Sequence, residues 1–152
     1  MKIDLKKYIP VLVCFAVALI LLIFSVGFYA KKSYGKKYVF KFPCVDEGKY
    51  LLETRYLKEN PNKEPVAYFA DELVLGSGLE RTKYLFTPRT KVNSCYERNK
   101  IVYIDLSSDI IYMGHNVISI KEGIDLLKDN IKNNFPHIED VQVFVDGKYA
   151  FE

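Results

Sequence analysis

Between Lys7 and Lys31 the chain runs for 23 residues, Tyr8 to Ala30, without a charged side chain. A helix rises ~1.5 Å per residue, so about 20 residues cross a hydrocarbon core ~30 Å thick. The run is long enough to span, and the rest of the chain has to be read around it. Its only polar members are Tyr8, Cys14, Ser25 and Tyr29, with both tyrosines near the ends, where interfacial rings sit. Pro10 falls in the first turn, where a missing N–H costs little. A cleaved signal peptide carries a shorter apolar region, about 7–15 residues, ahead of a small-residue cleavage site. Here the run is longer, and Phe24 to Ala30 offers no convincing small-x-small signal. Cys14 does not read as a lipoprotein cysteine, because Val13 precedes it and the apolar run continues far beyond. The sequence predicts an uncleaved single-pass anchor over 8–30. A short N-terminal segment (1–7) precedes it, and a basic linker (31–37) leads to a folded domain over 38–152.

Charge divides the chain in the same way. Residues 1–41 hold eight lysines against Asp4, a net of +7. That leaves 14 basic and 18 acidic residues over 42–152, a net of −4. The overall excess of +3 therefore belongs to the flanks of the apolar run. A nucleic-acid module would carry its positive charge on the folded domain, so that class is excluded. Three lysines precede the run, while Lys31, Lys32, Lys36 and Lys37 follow it. The lysine count alone slightly favours an internal C-terminal domain, although anionic headgroups on either leaflet also hold such clusters.

Within 38–152, Tyr38 to Phe42 is rich in aromatic and β-branched residues and stops at Pro43, which predicts a strand. Asp46-Glu47-Gly48 is turn chemistry, and Tyr50 to Leu57 reads as a second extended segment. Asn62 is placed to cap a helix running to about Leu75, with Pro65 in its first turn. Val66, Phe69, Ala70, Leu73 and Val74 share one face of that helix, and Gly76 stops it. The stretch Leu79 to Thr90 has no clear period. Lys91 to Arg98 and Ile101 to Leu106 read as a hairpin around Asn99-Lys100. Ser107 to Asn116 reads as a loop. Ser119 with Glu122 forms a capping box ahead of a helix carrying Ile124, Leu127 and Ile131 on one stripe. That helix ends before Phe135-Pro136, and Val141 to Val145 is a last strand turned by Asp146-Gly147.

Strands alternating with two helices give an α+β fold, a small mixed or antiparallel sheet packed against two helices behind the membrane helix. Val102, Ile104 and Leu106 share a face, as do Val141, Val143 and Val145. Both helices are expected on that aliphatic side. Cys44 and Cys95 lie in the folded domain, and in an oxidising compartment a bridge between them would close a loop of roughly 50 residues, contributing about 4 kcal/mol. Two separate buried thiols are the plainer reading, since nothing in the spacing demands a bridge.

In this order the residues resemble a GerMN domain, the module named for bacterial sporulation and germination proteins. The resemblance runs over nearly all of 38–152. It begins with Val39-Phe40-Lys41-Phe42 and Tyr50-Leu51-Leu52-Glu53-Thr54-Arg55, then takes in the helix end Glu72-Leu73-Val74-Leu75-Gly76 and the segment Pro88-Arg89-Thr90-Lys91-Val92. Its most specific piece is Val102-Tyr103-Ile104-Asp105-Leu106-Ser107. It closes with Phe135-Pro136 and Val141-Gln142-Val143-Phe144-Val145-Asp146-Gly147. Ser77 stands where the family usually has proline, Arg89 replaces a small residue, and there is one copy where the namesake carries two. The resemblance marks Gly76, Pro88, Asp105, Leu106, Ser107, Asp146 and Gly147 as structural residues. It also implies an extracytoplasmic, non-catalytic module held to the cell membrane, and so tips the topology outward.

The chemistry agrees with a non-enzyme. Asp105, Ser107, Ser108 and Asp109 cluster their oxygens, but the register of a calcium loop, with its midway glycine and terminal glutamate, is absent. Such residues at a strand end more often bond nearby backbone N–H groups. His115 and His137 are the only histidines, and no nucleophile elbow or Cys/His signature accompanies them. Gly76-Ser77-Gly78 follows a helix, whereas phosphate loops precede one. No cofactor or metal is expected.

What remains is binding. Opposite the aliphatic face, Ile101, Tyr103 and Phe144 project together if the hairpin lies beside the last strand, an aromatic patch of the kind partner surfaces use. The plainer alternative is that Leu79 to Thr90, or the first strand, covers them. Sheet edges also offer a route to self-association. The expectation is a single-pass inner-membrane protein whose external domain organises envelope proteins. A module for a small envelope ligand, such as a cell-wall fragment, is the alternative.

Overall fold

The computed structural model describes residues 9–30, 35–46, 48–112 and 114–150. The N-terminal segment 1–7, Tyr8, the linker residues 31–34, Glu47 of the predicted turn, Met113 and the last two residues lie outside these. Two units result, divided between Tyr34 and Gly35.

The first unit contains helix α1 (Ile9–Ala30), 22 residues with no charged side chain, about 33 Å of backbone. Side chains are described without a break only over 13–27, about 22 Å. Among the described residues no helix is long and apolar enough to cross a membrane.

The second unit holds β1 (Lys36–Pro43), β2 (Tyr50–Leu57), α2 (Pro65–Val74), β3 (Val92–Arg98), β4 (Ile101–Leu106), α3 (Ile120–Asn134), β5 (Asp140–Val145) and β6 (Lys148–Tyr149). The strands form two sheets rather than the single one expected. β1 and β2 make an antiparallel ribbon, and β3-β4-β5-β6 make a mixed sheet in which β4 and β5 run parallel. A parallel neighbour demands a crossover, and α3 supplies it. β1 begins at Lys36, paired with Leu57, so Lys36 and Lys37 are strand rather than linker.

The hairpin turn falls on Asn99 and Lys100, both at positive φ (52° and 64°), the combination a two-residue loop needs to match strand twist. Ser119 accepts from the Glu122 N–H at 3.3 Å and caps α3 as expected. The α2 cap is corrected. The helix starts at Pro65, with Glu64 at the cap position in extended backbone. Proline forces the preceding residue out of the helical region, so a start at Asn62 is blocked, and 60–63 forms a turn instead. Within the predicted 107–116 loop, Ser108–Ile111 is a 3-10 turn that buries Ile110.

Val102, Ile104 and Leu106 of β4, with Val141 and Val143 of β5, are buried in one core, with α2 packed on β3 and α3 on β5. β1 turns Tyr38, Phe40 and Phe42 into the same core, where Phe40 stacks on Phe69 of α2 at 4.5 Å between ring centroids. Phe69 also meets Phe135 edge-on at 5.5 Å. The aperiodic segment 79–90 is a core contributor: Leu85 and Phe86 are each 1% exposed. Bridges pair Cys44 with Thr82 and Tyr84 with Val117, threading the segment between β1 and the approach to α3.

Candidate functional site

The outer face of the four-stranded sheet follows from strand alternation. In β4, Ile101, Tyr103 and Asp105 point away from the helices, and the parallel register sets them beside Asp140, Gln142 and Phe144 of β5. Ile101, Tyr103 and Phe144 thus share one face, and each is half-buried. Neither 79–90 nor β1 forms part of this sheet. Tyr103 and Phe144 each have an aromatic partner that sequence reasoning missed. Tyr96 of β3 is the cross-strand neighbour of Tyr103, and their rings stack at 5.3 Å. Tyr149 of β6 faces Phe144 in the same way, edge-on at 5.4 Å. Tyr103 and Phe144 are not direct neighbours: Gln142 lies beside Tyr103, and Asp105 beside Phe144. The surface is therefore two aromatic pairs separated by a polar diagonal. The signal for Tyr96 lay in a two-residue hairpin, which fixes that residue opposite Tyr103.

Asp105 ties this face to the last hairpin. Its carboxylate accepts the Gly147 N–H at 2.9 Å and the Asn93 side-chain amide at 3.3 Å. Asn93 also donates to Asp146 at 3.2 Å. A hydrogen bond from the Ser108 hydroxyl, with that of Asn93, holds the Asp146 carboxyl below the usual aspartate range. Asp146 and Gly147 both sit at positive φ (45° and 76°), and the Asp146 N–H donates to the buried Leu106 carbonyl at 3.0 Å. Ser107 accepts the Lys91 N–H on its hydroxyl and returns its own N–H to the Lys91 carbonyl. These oxygens shape turns. Among the described residues no group of three or more His, Cys, Asp or Glu is arranged to hold a metal ion.

The other marked residues lie apart from this face. Gly76 follows α2 at φ +93°, packed under the Tyr84 ring. Ser77 donates to Glu53 at 2.6 Å. Glu53 and Arg55 of β2 form a forked pair, with Arg55 Nε to Glu53 Oε1 at 2.7 Å and Nη2 to Oε2 at 3.1 Å. Arg55 also donates to the Glu72 and Gly76 carbonyls at 3.0 and 2.6 Å, and its guanidinium lies over the Phe40 and Phe42 rings. Pro88 is exposed in the turn that the Thr90 N–H closes onto the Thr87 carbonyl. Cys44 and Cys95 are both free thiols, so the bridge the spacing allowed is not formed here. Cys44 follows β1 and bridges to Thr82, whereas Cys95 lies in β3 opposite Ile104. His137 approaches Glu97 at 3.0 Å on the surface, and His115 is exposed in its loop.

Several grooves open on the domain. An open one of about 450 Å³ is lined mainly by Ile110, Ile111, Ile120, Ile124, Val145 and Tyr149. Another, about 320 Å³, lies away from the four-stranded sheet, between the β1–β2 ribbon and α2, among Lys36, Tyr38, Leu57, Lys58, Lys63 and Tyr68.

A mixed sheet with a β4–α3–β5 crossover, two helices on one face and an aromatic ribbon at the side defines a GerMN-like module. The tandem GerMN domains of the sporulation protein GerM from Bacillus subtilis are similar in structure, with a TM-score of 0.59 and 20% identity over 78% of this chain and 41% of that one. The first GerMN domain of GerM gives 0.53 and 14% identity, covering 73% of this chain and 84% of that one. The chain thus spans about two fifths of the tandem structure. At these identities the likeness is one of fold. No family model matches the sequence, and no curated protein matches it.

Proposed function

We propose that the chain is a membrane-anchored, non-catalytic module that organises proteins of the bacterial cell envelope through the outer face of its four-stranded sheet. The observation that carries this reading is that face itself: Tyr96–Tyr103 and Phe144–Tyr149 stand as paired rings, with Tyr96 and Tyr149 each nearly half exposed. Aromatic pairs on an uncovered sheet supply rigid contact area at low entropic cost, which is what partner surfaces use. The 23 uncharged residues from Tyr8 to Ala30 support a single-pass anchor in the inner membrane. The fold is shared with domains of a sporulation protein, which fits a bacterial module of this kind. A small-ligand reading is weaker, because the groove of about 450 Å³ is open and mostly apolar, with Ser108, Asp146 and Lys148 its polar members, whereas a cell-wall fragment needs an enclosed site with convergent polar groups.

A Tyr103→Ser, Phe144→Ser chain that keeps its circular dichroism is expected to lose the envelope proteins that co-purify with the native one. Unchanged co-purification counts against this surface. The side of the membrane is tested with Cys14→Ser, Tyr112→Cys in intact cells and a membrane-impermeant thiol reagent. Labelling supports an external domain. Protection until permeabilisation would place the domain in the cytoplasm and end the envelope reading.

A further inference from the structure

The domain's sheet edges are treated unequally. The outward backbone groups of Val39 and Lys41 on β1 are occupied by Asn134 and Asn130 of α3. On β3, the Glu97 N–H donates to the Glu64 carboxylate at 2.9 Å. β6 is only two residues long. β2 differs. Because Val39 and Lys41 turn their backbone toward α3, their register partners Thr54 and Leu52 turn theirs away from β1. Among the described residues nothing hydrogen-bonds the backbone of either. β2 is eight residues long, pairs with β1 without a bulge and contains neither proline nor lysine, and its two inward-facing charges, Glu53 and Arg55, neutralise each other in a forked pair.

We propose that β2 pairs antiparallel with β2 of a second copy of this chain, about a two-fold axis through Thr54. The register follows from charge. Three registers pair the central outward-facing backbone groups of this edge. Centring on Glu53 sets Glu53 against its own copy, and centring on Arg55 does the same to Arg55; like charges directly opposite destabilise a pair. Centring on Thr54 instead sets Glu53 against the second copy's Arg55 on both sides of the axis, an alternating cluster of four charges. The other face then matches Thr54 with Thr54 and Leu52, 67% exposed, with Tyr56. An interface of this kind is isologous and closes as a dimer. It uses the folded domain alone and stands whether or not residues 8–30 span a bilayer.

The test uses the full chain with Cys14→Ser in detergent micelles, carrying either Thr54→Cys or Leu52→Cys. Position 54 would meet itself at about 5.5 Å between Cα atoms, within disulfide reach. Two copies of position 52 would lie roughly 14 Å apart, beyond it. Thr54→Cys is expected to cross-link under mild oxidation roughly tenfold faster than Leu52→Cys. In the otherwise native chain, Thr54→Lys is expected to convert a dimeric mass to a monomeric one with circular dichroism unchanged. Equal cross-linking at the two positions, no cross-link in a folded chain, or a Thr54→Lys chain of unaltered mass would overturn the proposal.

Discussion

Asn130 and the backbone of Lys41 are joined by two hydrogen bonds: the Lys41 N–H donates to Asn130 Oδ1 at 2.7 Å, and Asn130 Nδ2 donates to the Lys41 carbonyl at 2.9 Å. One turn on, Asn134 repeats the arrangement with Val39. Two side-chain amides on one helix face thus take the place of a neighbouring strand along β1. Asn130 is 1% exposed, so its partners have no water to fall back on. Leaving two buried backbone groups unpaired costs about 1–3 kcal/mol each. Asn130→Leu, close in volume, is expected to lose about 2–4 kcal/mol in urea unfolding, and Asn134→Ala, at the more open pair, about 1 kcal/mol. Equal losses at the two positions would refute the burial argument.

That ladder was not legible in the sequence, because asparagines four apart on a helix read as a solvated face. The aliphatic alternation of Val102, Ile104 and Leu106 was legible, since a period of two in a run of six has one meaning. So were the Asn99-Lys100 turn and the Ser119 cap, where local chemistry decides the backbone. Leu85 and Phe86 escaped notice because their segment has no period: it is fixed by pairing with Cys44 and Val117, far off in sequence. At the start of α2 two local signals competed, and Pro65 overrode Asn62. Ile101, Tyr103 and Phe144 were correctly placed on one face, but their neighbours Tyr96 and Tyr149 required the strand register.

Arg55 closes the C-terminal end of α2, a helix with no basic residue in its own last turn. Its guanidinium serves the Glu72 and Gly76 carbonyls and Glu53 together while lying over two phenylalanine rings. Lysine keeps the charge but not the planar fork. Arg55→Lys is therefore expected to cost about 2–3 kcal/mol, more than a surface ion pair is worth. Thermal unfolding within a degree of the native chain would show that the fork is dispensable.

The same cluster sets an acid limb. The hydrogen bond from Arg55, aided by the Ser77 hydroxyl and the Gly78 N–H and opposed by burial, holds the Glu53 carboxyl below the ordinary glutamate value of 4.5. A carboxyl lower in the folded chain than in the unfolded one stabilises the fold above the unfolded value. That contribution is lost as pH falls through the folded value. Stability in urea should decline below about pH 4.5, and Glu53→Gln should be less stable at pH 7 but fall less steeply in acid. An unaltered acid slope in Glu53→Gln would remove Glu53 from the account.

Gly123 lies in the first turns of α3, where alanine ordinarily gains about 1 kcal/mol. Here a Cβ would meet the Leu85 carbonyl oxygen at 2.6 Å and the Phe86 ring at 2.8 Å. Backbone cannot step aside as a surface side chain does, so the sign should reverse. Gly123→Ala is expected to destabilise by about 1–3 kcal/mol. A stabilised variant would mean that the 85–86 segment packs more loosely against α3 than its burial implies.

Cys95 tests whether the β3 edge under α2 is as closed as it looks. Burial, with the Asp71 and Glu64 carboxylates nearby and Lys63 opposing, pushes its thiol up to about 12. The thiolate is the reactive form. At pH 8 a thiol titrating near 8.5 is about one quarter ionised, whereas one near 12 is ionised to roughly one part in ten thousand. In the folded chain with Cys14→Ser, iodoacetamide at pH 8 should therefore modify Cys95 roughly a thousandfold more slowly than in urea. Oxidation of the folded chain should leave Cys44 and Cys95 unbridged, since exchange needs a thiolate to attack. Alkylation of Cys95 at the rate of a free thiol would mean that α2 lifts readily from the inner face of β3.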